Sequence, residues 1–224
     1  MSRRSLLGIT GLLACIVALA ACGGGDAPRD DQGPAIVETV TKASPTPNTT
    51  ATTAAYSGGT VNPVKAAPEL GLRTWNGRRV TMADYTGKAV LVTFLYVNCP
   101  DVCPLIVDNL VRVKDRLGPA GKRLRIVAVS VDPVGDTPAA VKRFLTNHRA
   151  TADVDYLIGS RDALEAAWAR WGIGARADKD NPSLIEHSGV IWGVDRRGRR
   201  ATFYPASGFD VADIEGDVRL LLTQ

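Results

Sequence analysis

The chain has 224 residues, a length that suits one ordinary domain with additional segments or two small domains. Hydrophobic residues make up 45% and charged residues 22%, which is the balance of a protein with a packed core and excludes disorder over the whole length. The formal net charge is +4, and it falls to +2 without residues 1–21, which contain Arg3 and Arg4. So small a positive excess argues against a nucleic acid partner.

The first 21 residues predict an export signal. Arg3 and Arg4 form a positively charged start, and residues 6–21 form an apolar segment that ends in Leu-Ala-Ala directly before Cys22. This segment is shorter than the roughly 20 residues of a membrane-spanning helix and has the length found in signal peptides. Its end resembles a bacterial lipobox, in which the cysteine is lipidated and cleavage occurs just before it.

Residues 1–21 are therefore predicted to be a lipoprotein signal peptide, and Cys22 is the predicted lipidation site. The expected location is extracytoplasmic, with the protein lipid-anchored to the outer face of the bacterial cytoplasmic membrane. A plain membrane-anchor helix with an incidental cysteine is the alternative. The paired arginines also resemble a twin-arginine export motif, so the general secretory and twin-arginine routes both stay open.

Residues 22–66 predict a flexible tether. Three glycines follow Cys22, and Thr, Ala, Ser and Pro dominate residues 39–60. Such a composition cannot bury enough apolar surface to fold. As a coil, the segment would span about 35–40 Å root-mean-square, which would carry a domain above a membrane surface. The folded domain is expected over residues 67–224.

Within that range, strands and helices alternate. Residues 89–96 and 125–131 are continuously apolar and β-rich, as buried parallel strands are. The predicted elements, in chain order, are strand 78–82, strand 89–96, a helix from Pro104 to Leu117, strand 125–131, helix 137–147, strand 156–158, helix 161–171, a hairpin of strands 188–194 and 200–204, and a helix around residues 214–221. This order predicts an α/β, thioredoxin-like fold: a central mixed β-sheet flanked by helices, with an N-terminal extension.

Two cysteines stand where such a fold carries its chemistry. Cys99 and Cys103 lie between strand 89–96 and the next helix, at the sheet edge where open α/β folds bind ligands. A helix N-terminus favours thiolate and should lower the thiol pKa. Cysteines four residues apart share one helical face, so they can form a disulfide or bind one soft metal ion. Two thiolates suit Cu(I), and an added neutral imidazole suits Cu(II) as well.

The chain has two histidines, and His187 is the better candidate for a third ligand. It precedes predicted strand 188–194, in a loop that lies beside the redox helix of a thioredoxin-like fold. His148 ends a polar helix and is expected to be solvated. The alternative is a structural disulfide between Cys99 and Cys103, together with a structural role for His187.

Together these residues resemble the SCO/SenC family, extracytoplasmic thioredoxin-like proteins that help to assemble cytochrome c oxidase. The resemblance covers roughly residues 66–224, and its motifs occur in the order of the family. They are Gly87-Lys88 before the apolar strand, Cys99-Pro100-Asp101-Val102-Cys103-Pro104, Ser130-Val131-Asp132-Pro133 with Asp136-Thr137-Pro138, and His187-Ser188.

The resemblance implies that Cys99, Cys103 and His187 bind copper, as Cu(I) or Cu(II), with Asp132 as an acidic residue near the site. It implies delivery of copper to the binuclear copper centre of oxidase subunit II. The implied partners are that subunit, an upstream copper donor or thiol reductant, and the membrane through the lipid anchor.

A second function is a thiol–disulfide oxidoreductase that keeps the cysteines of the target copper centre reduced. In that reaction Cys99 would attack and Cys103 would resolve the mixed disulfide, so the pair would be a redox-active disulfide. His187 discriminates between the two functions, because a plain oxidoreductase does not require it.

Overall fold

The structure is a computed structural model that describes residues 55–181 and 184–224. The predicted signal peptide, Cys22 and most of the predicted tether lie outside the described residues. Over the ranges that are described, no helix has both the length and the apolar character needed to cross a membrane.

The described residues form ten strands and four α-helices. Two short 3-10 helices, Met82–Tyr85 and Gly118–Arg123, lie in the connections. The strands and α-helices are β1 (Gly59–Ala66), β2 (Leu72–Thr74), β3 (Arg79–Val80), β4 (Ala89–Leu95), α1 (Val102–Arg116), β5 (Leu124–Ser130), α2 (Pro138–Asn147), β6 (Val154–Ile158), α3 (Arg161–Trp171), β7 (Ala175–Ala177), β8 (Ile185–His187), β9 (Val190–Val194), β10 (Arg199–Pro205) and α4 (Val211–Leu221).

Eight of the strands form one mixed sheet in the order β1-β10-β9-β4-β5-β6-β2-β3. At its centre β4, β5 and β6 run parallel, while β9 and β10 run antiparallel to their neighbours. Every residue of β4 is buried, which explains why all of its residues except Thr93 are apolar, without alternation. The expected thioredoxin-like α/β fold is confirmed. A separate pair, β7 and β8, forms a two-stranded sheet.

Local sequence explains the helices that follow the central strands. The apolar face expected for α1 is buried, with Ile106, Leu110 and Val113 at or near zero exposure. α3 begins where the Ser160 side chain accepts a hydrogen bond from a backbone N–H of the first turn, and it ends at Gly172 with φ of 72°. A left-handed residue at that place favours glycine, because glycine has no Cβ to clash. Both helices therefore hold the positions predicted for them.

The start of the folded domain differs from the expectation. Residues 59–66, expected in the tether, form β1, which pairs antiparallel with β10 at the edge of the sheet. Most β1 side chains are exposed, so the segment lacks the alternation of apolar residues that marks a half-buried strand. Residues 59–66 form a strand because their main chain pairs with β10. Composition alone does not reveal such pairing. The domain boundary therefore lies before residue 67.

The residues just ahead of β1 are also fixed to the domain. The Asp217 carboxylate on α4 accepts hydrogen bonds from the N–H groups of Ser57 and Gly58, at 2.9 and 3.0 Å. It also accepts one from the hydroxyl group of Tyr204. Asp217 is only 2% exposed, so these donors compensate for the burial of its charge.

Three short strands, β2, β7 and β8, were not predicted. Each has three residues, which is too short for a periodic pattern to appear. β8 matters most for the site, because it contains His187. The predicted strand 188–194 corresponds to β9 (Val190–Val194), and Ser188 and Gly189 separate it from β8.

Candidate metal centre

The cysteine pair lies at the carboxyl end of β4, in the centre of the sheet. Cys99 belongs to the loop that follows β4, and its N–H donates to the carbonyl oxygen of Tyr96 at 3.3 Å. Cys103 lies in the first turn of α1 and is fully buried, whereas Cys99 is half-buried. Both thiols are free. The expectation that both cysteines share a helical face is wrong for Cys99, because α1 begins only at Val102.

The Cys103 thiol does not have the lowered pKa expected at a helix N-terminus. Burial raises its pKa, and a side-chain hydrogen bond with Cys99 raises it further. The backbone of Tyr96 makes an opposing contribution through a hydrogen bond to Cys103. The helix dipole is outweighed here, because burial removes the water that would solvate a thiolate. Cys103 therefore keeps its proton more firmly than an exposed thiol does, and Cys99 lies close enough to add to this effect.

His187 ends strand β8, opposite Ala175 of β7. Its Nδ1 lies 3.3 Å from the carbonyl oxygen of Ser188, which can only accept a hydrogen bond. This contact places the proton on Nδ1 and leaves the lone pair of Nε2 free. Burial lowers the pKa of His187, so its imidazole is neutral at neutral pH. A neutral imidazole with a free nitrogen is the form that binds a metal ion.

Tyr96 lies between the histidine strand and the cysteine loop. Its ring meets the His187 ring edge-on, with centroids 6.1 Å apart and planes at 85°. Its hydroxyl group accepts a hydrogen bond of 3.3 Å from the N–H of Ile185. Burial raises the pKa of Tyr96, and the sulfurs of Cys99 and Cys103 add to the increase. The cysteine pair and His187 are thus both neighbours of Tyr96.

The three predicted copper ligands do not all lie within reach of one metal ion. The two cysteines are together, but no group of three or more His, Cys, Asp or Glu side chains within residues 55–181 and 184–224 is close enough to hold a metal ion. The ring of His187 meets Tyr96, and among the described residues it forms no metal-binding group with the two cysteines. By sequence, Tyr96 is the last residue of an apolar strand, 89–96. Its place, one residue after β4 and three before Cys99, is the signal that could have identified it.

Asp132 shapes a loop beside the cysteine loop. Its carboxylate accepts hydrogen bonds from the N–H groups of Val134 and Gly135, at 3.0 and 2.8 Å, and so closes a tight turn. The side chains of Asp132 and Asn98 both crowd the position that a Cβ on residue 135 would take. Asn98 directly precedes Cys99. Asp132 therefore lies near the candidate site as a residue that forms a turn.

Asp136 is a site residue that the sequence alone does not identify. Its carboxylate accepts hydrogen bonds from the N–H of Val97 at 2.9 Å and from the hydroxyl of Tyr156 at 2.7 Å. The side chain is 5% exposed, and burial raises its pKa to about 6. The charge of Asp136 in turn adds to the raised pKa of Cys103. The motif 136–138 carried the family resemblance, but a buried carboxylate cannot be distinguished from a turn residue by sequence.

His148 has a structural role. Its Nδ1 lies 2.8 Å from a carboxylate oxygen of Asp108 on α1, and its ring packs against Phe144 at a centroid distance of 4.7 Å. It follows the last residue of α2. The expectation that it is simply solvated was incomplete, because it links two helices. It offers a matched histidine for testing the role of His187.

Two cavities flank strand β8. One, of about 330 Å³, lies between the Asp132 turn, α3 and β7, and Ile185 contributes to its wall. The other, of about 480 Å³, is open to solvent and is lined by the residues around Arg176 and His187. His187 therefore borders open space, which leaves room for β8 to shift or for a partner to approach.

The fold and the site define a class of protein: a thioredoxin-like domain with a Cys-x3-Cys pair after its central strand and a histidine on a nearby strand. The SCO1/SenC family model matches residues 63–223, so the chain belongs to that family. The expected family is thereby confirmed.

Individual relatives are distant. The SCO2-like protein of Rickettsia felis is 24% identical over 142 residues, which cover 61% of this chain and 67% of that protein. The solution structure of apo Sco1 from Thermus thermophilus is 26% identical, with a TM-score of 0.66 over 75% of this chain and 97% of that one. The structure of Bradyrhizobium japonicum ScoI with copper bound is 25% identical, with a TM-score of 0.60 over 69% and 98% of the two chains.

Proposed function

We propose that this protein is a copper metallochaperone for the binuclear copper centre of cytochrome c oxidase subunit II. Cys99, Cys103 and His187 are the proposed ligands. The observation that carries the proposal is the pair of free thiols, four residues apart, at the carboxyl end of β4. Membership of the SCO1/SenC family and the copper bound in the Bradyrhizobium japonicum relative support it.

The donor set fits copper as a cargo. Two thiolates are soft ligands that suit Cu(I), and an imidazole nitrogen extends the set toward Cu(II). A structural zinc site normally has four protein ligands, whereas the proposed set has three. The neutral imidazole of His187, with its free Nε2, needs no proton loss before it can bind.

The two cysteines have different roles in this proposal. Cys99 is half-buried, so an incoming copper ion or an exchanging partner ligand reaches its sulfur first. Cys103 is buried and holds its proton firmly, so it binds copper by releasing that proton. Transfer then proceeds by exchange of ligands, with Cys99 as the sulfur that a partner can approach.

A thiol–disulfide oxidoreductase is the second candidate function. The same asymmetry favours it, because an accessible Cys99 can attack a target disulfide and a buried Cys103 can resolve the intermediate. The Cys99–Cys103 disulfide would be the oxidised product. The two functions differ in their need for His187, which takes no part in thiol exchange.

We also propose that the mature protein is extracytoplasmic and lipid-anchored through Cys22, after cleavage of residues 1–21. The apolar segment that ends in Leu-Ala-Ala-Cys supports this. Cys22→Ser should abolish both lipidation and cleavage, which mass spectrometry of membrane fractions measures. An unmodified Cys22 in the membrane fraction of wild-type cells would contradict the anchor.

Anaerobic Cu(I) titration of the reduced protein tests the copper function. We expect one copper ion per chain, and we expect loss of most of the affinity in Cys99→Ala and Cys103→Ala. The Cys99–Cys103 disulfide should not bind copper, because no thiolate remains. His187→Ala should weaken Cu(II) binding more than Cu(I) binding, since two thiolates still hold a linear Cu(I). His148→Ala is the matched control and should bind copper as wild type does.

Assembly of the oxidase separates the two functions. We expect cells that carry His187→Ala to lack the binuclear copper centre, although the disulfide of this variant remains reducible. Metal analysis of purified subunit II is the measurement, and His148→Ala is again the control. Full assembly with His187→Ala would reject the metallochaperone function in favour of the oxidoreductase.

A further inference from the structure

Tyr96 contacts both halves of the candidate site. It directly follows β4 and is 3% exposed. Its carbonyl oxygen accepts from the N–H of Cys99 at 3.3 Å, and its backbone makes a hydrogen bond to Cys103. Its hydroxyl group accepts from the N–H of Ile185, and its ring meets the ring of His187. A single side chain thus joins the cysteine loop to strand β8.

We propose that Tyr96 is a positioning residue: its hydroxyl group holds β8 so that His187 stays apart from the cysteine pair, and its release lets His187 join a copper ion held by Cys99 and Cys103. This inference rests on the proposed copper function. It concerns how the third ligand is engaged, rather than which residues are ligands.

The packing around β8 explains why one hydroxyl group matters. β8 has three residues and pairs with a strand of equal length, so main-chain pairing gives it limited support. Cavities of about 330 and 480 Å³ flank the strand and leave it room to move. The hydrogen bond of 3.3 Å from Ile185 to Tyr96 joins this small sheet to the end of the main one. His187 lies two residues further along the same strand.

The Tyr96→Phe variant removes the hydroxyl group and keeps the ring. Without its acceptor, the N–H of Ile185 should exchange its hydrogen faster in the copper-free protein. His187 should then reach copper more easily, and we expect about a five-fold gain in Cu(II) affinity, the equivalent of one ordinary hydrogen bond. Tyr85→Phe is the matched control, because Tyr85 is 4% exposed and its hydroxyl donates to Asp155 at 2.9 Å.

A double-mutant cycle assigns the effect to His187. We would measure Cu(II) affinity anaerobically for wild type, Tyr96→Phe, His187→Ala and the double variant. The proposal expects Tyr96→Phe to raise affinity when His187 is present and to change nothing when His187 is alanine. An equal change in both backgrounds would overturn it, because Tyr96 would then act through the cysteines alone.

Hydrogen exchange supplies a readout that needs no copper-dependent activity. Unchanged exchange at Ile185 in Tyr96→Phe would also overturn the proposal. Should that variant fail to fold, wild-type protein still decides the question: copper loading should speed exchange at Ile185, and unchanged or slower exchange would reject the inference. Equal Cu(II) affinity of His187→Ala and wild type would instead reject the ligand set, and with it the proposed function on which this inference rests.

Discussion

The buried carboxylate of Asp136 accepts a hydrogen bond of 2.9 Å from the N–H of Val97, two residues before Cys99. The same carboxylate accepts from the hydroxyl of Tyr156 on β6 at 2.7 Å. The start of the cysteine loop is therefore tied to a strand on the other side of β5. Burial disfavours ionisation of the Asp136 carboxylate. The free energy of unfolding of the domain should therefore depend on the protonation of Asp136, and so on pH.

The direction of that dependence follows from the raised pKa. Burial raises the pKa of Asp136 from 3.8 to about 6, so the folded state holds the proton more firmly than the unfolded chain does. The stabilisation from this protonation is complete below pH 3.8 and is lost as the pH rises through about 6.

Asp136→Asn should therefore remove one component of the pH profile. The asparagine does not ionise. The free energy of unfolding of the variant, relative to that of wild type, should therefore rise by up to about 3 kcal/mol between about pH 4 and pH 7. Urea unfolding over that range measures the difference. Asp115→Asn, at an exposed position on α1, is the control and should give a profile parallel to that of wild type. A parallel profile for Asp136→Asn would contradict the prediction.

The two thiols should differ in reactivity. Cys99 is half-buried, whereas Cys103 has no exposed surface and a raised pKa. Alkylation depends on access and on the thiolate fraction, so an alkylating reagent should modify Cys99 well before Cys103. Peptide mass spectrometry over a time course at neutral pH measures both rates. In urea the two rates should converge, and equal rates in the folded protein would disprove the asymmetry.

The N-terminal boundary of the domain can be tested with two truncations. Deletion of residues 1–54 keeps Ser57, Gly58 and β1, so it should leave stability unchanged. Deletion of residues 1–66 removes β1 and leaves the buried carboxylate of Asp217 without two of its donors. We expect that deletion to lower the free energy of unfolding by at least about 2 kcal/mol.

Urea unfolding of the two fragments measures this difference. Equal stability would mean that the domain begins at residue 67, as composition suggested, and that β1 adds nothing. Insolubility of the longer fragment would argue that residues before 55 also belong to the folded unit.

These residues show what the sequence could and could not predict. β4 was predictable because all of its residues are buried, and α3 because a serine cap and a terminal glycine mark its ends. β1 was not, because an exposed edge strand is defined by its partner, β10. Cys99, Cys103 and His187 were selected as candidate ligands by residue type, placement and family resemblance, and that assignment stays a prediction. Tyr96 and Asp136 were missed because their importance lies in what they contact, and contacts across the sheet leave no local pattern.

X-ray absorption of the copper-loaded protein should reveal how the copper ion is coordinated. We expect two sulfur neighbours and one nitrogen or oxygen neighbour, because two thiolates and one imidazole are the proposed donors. His187→Ala should remove the nitrogen neighbour and keep both sulfurs, whereas His148→Ala should leave the spectrum unchanged, because His148 is bound to Asp108. Four sulfur neighbours would contradict a single-chain site, since two chains would then share one copper ion through both cysteine pairs.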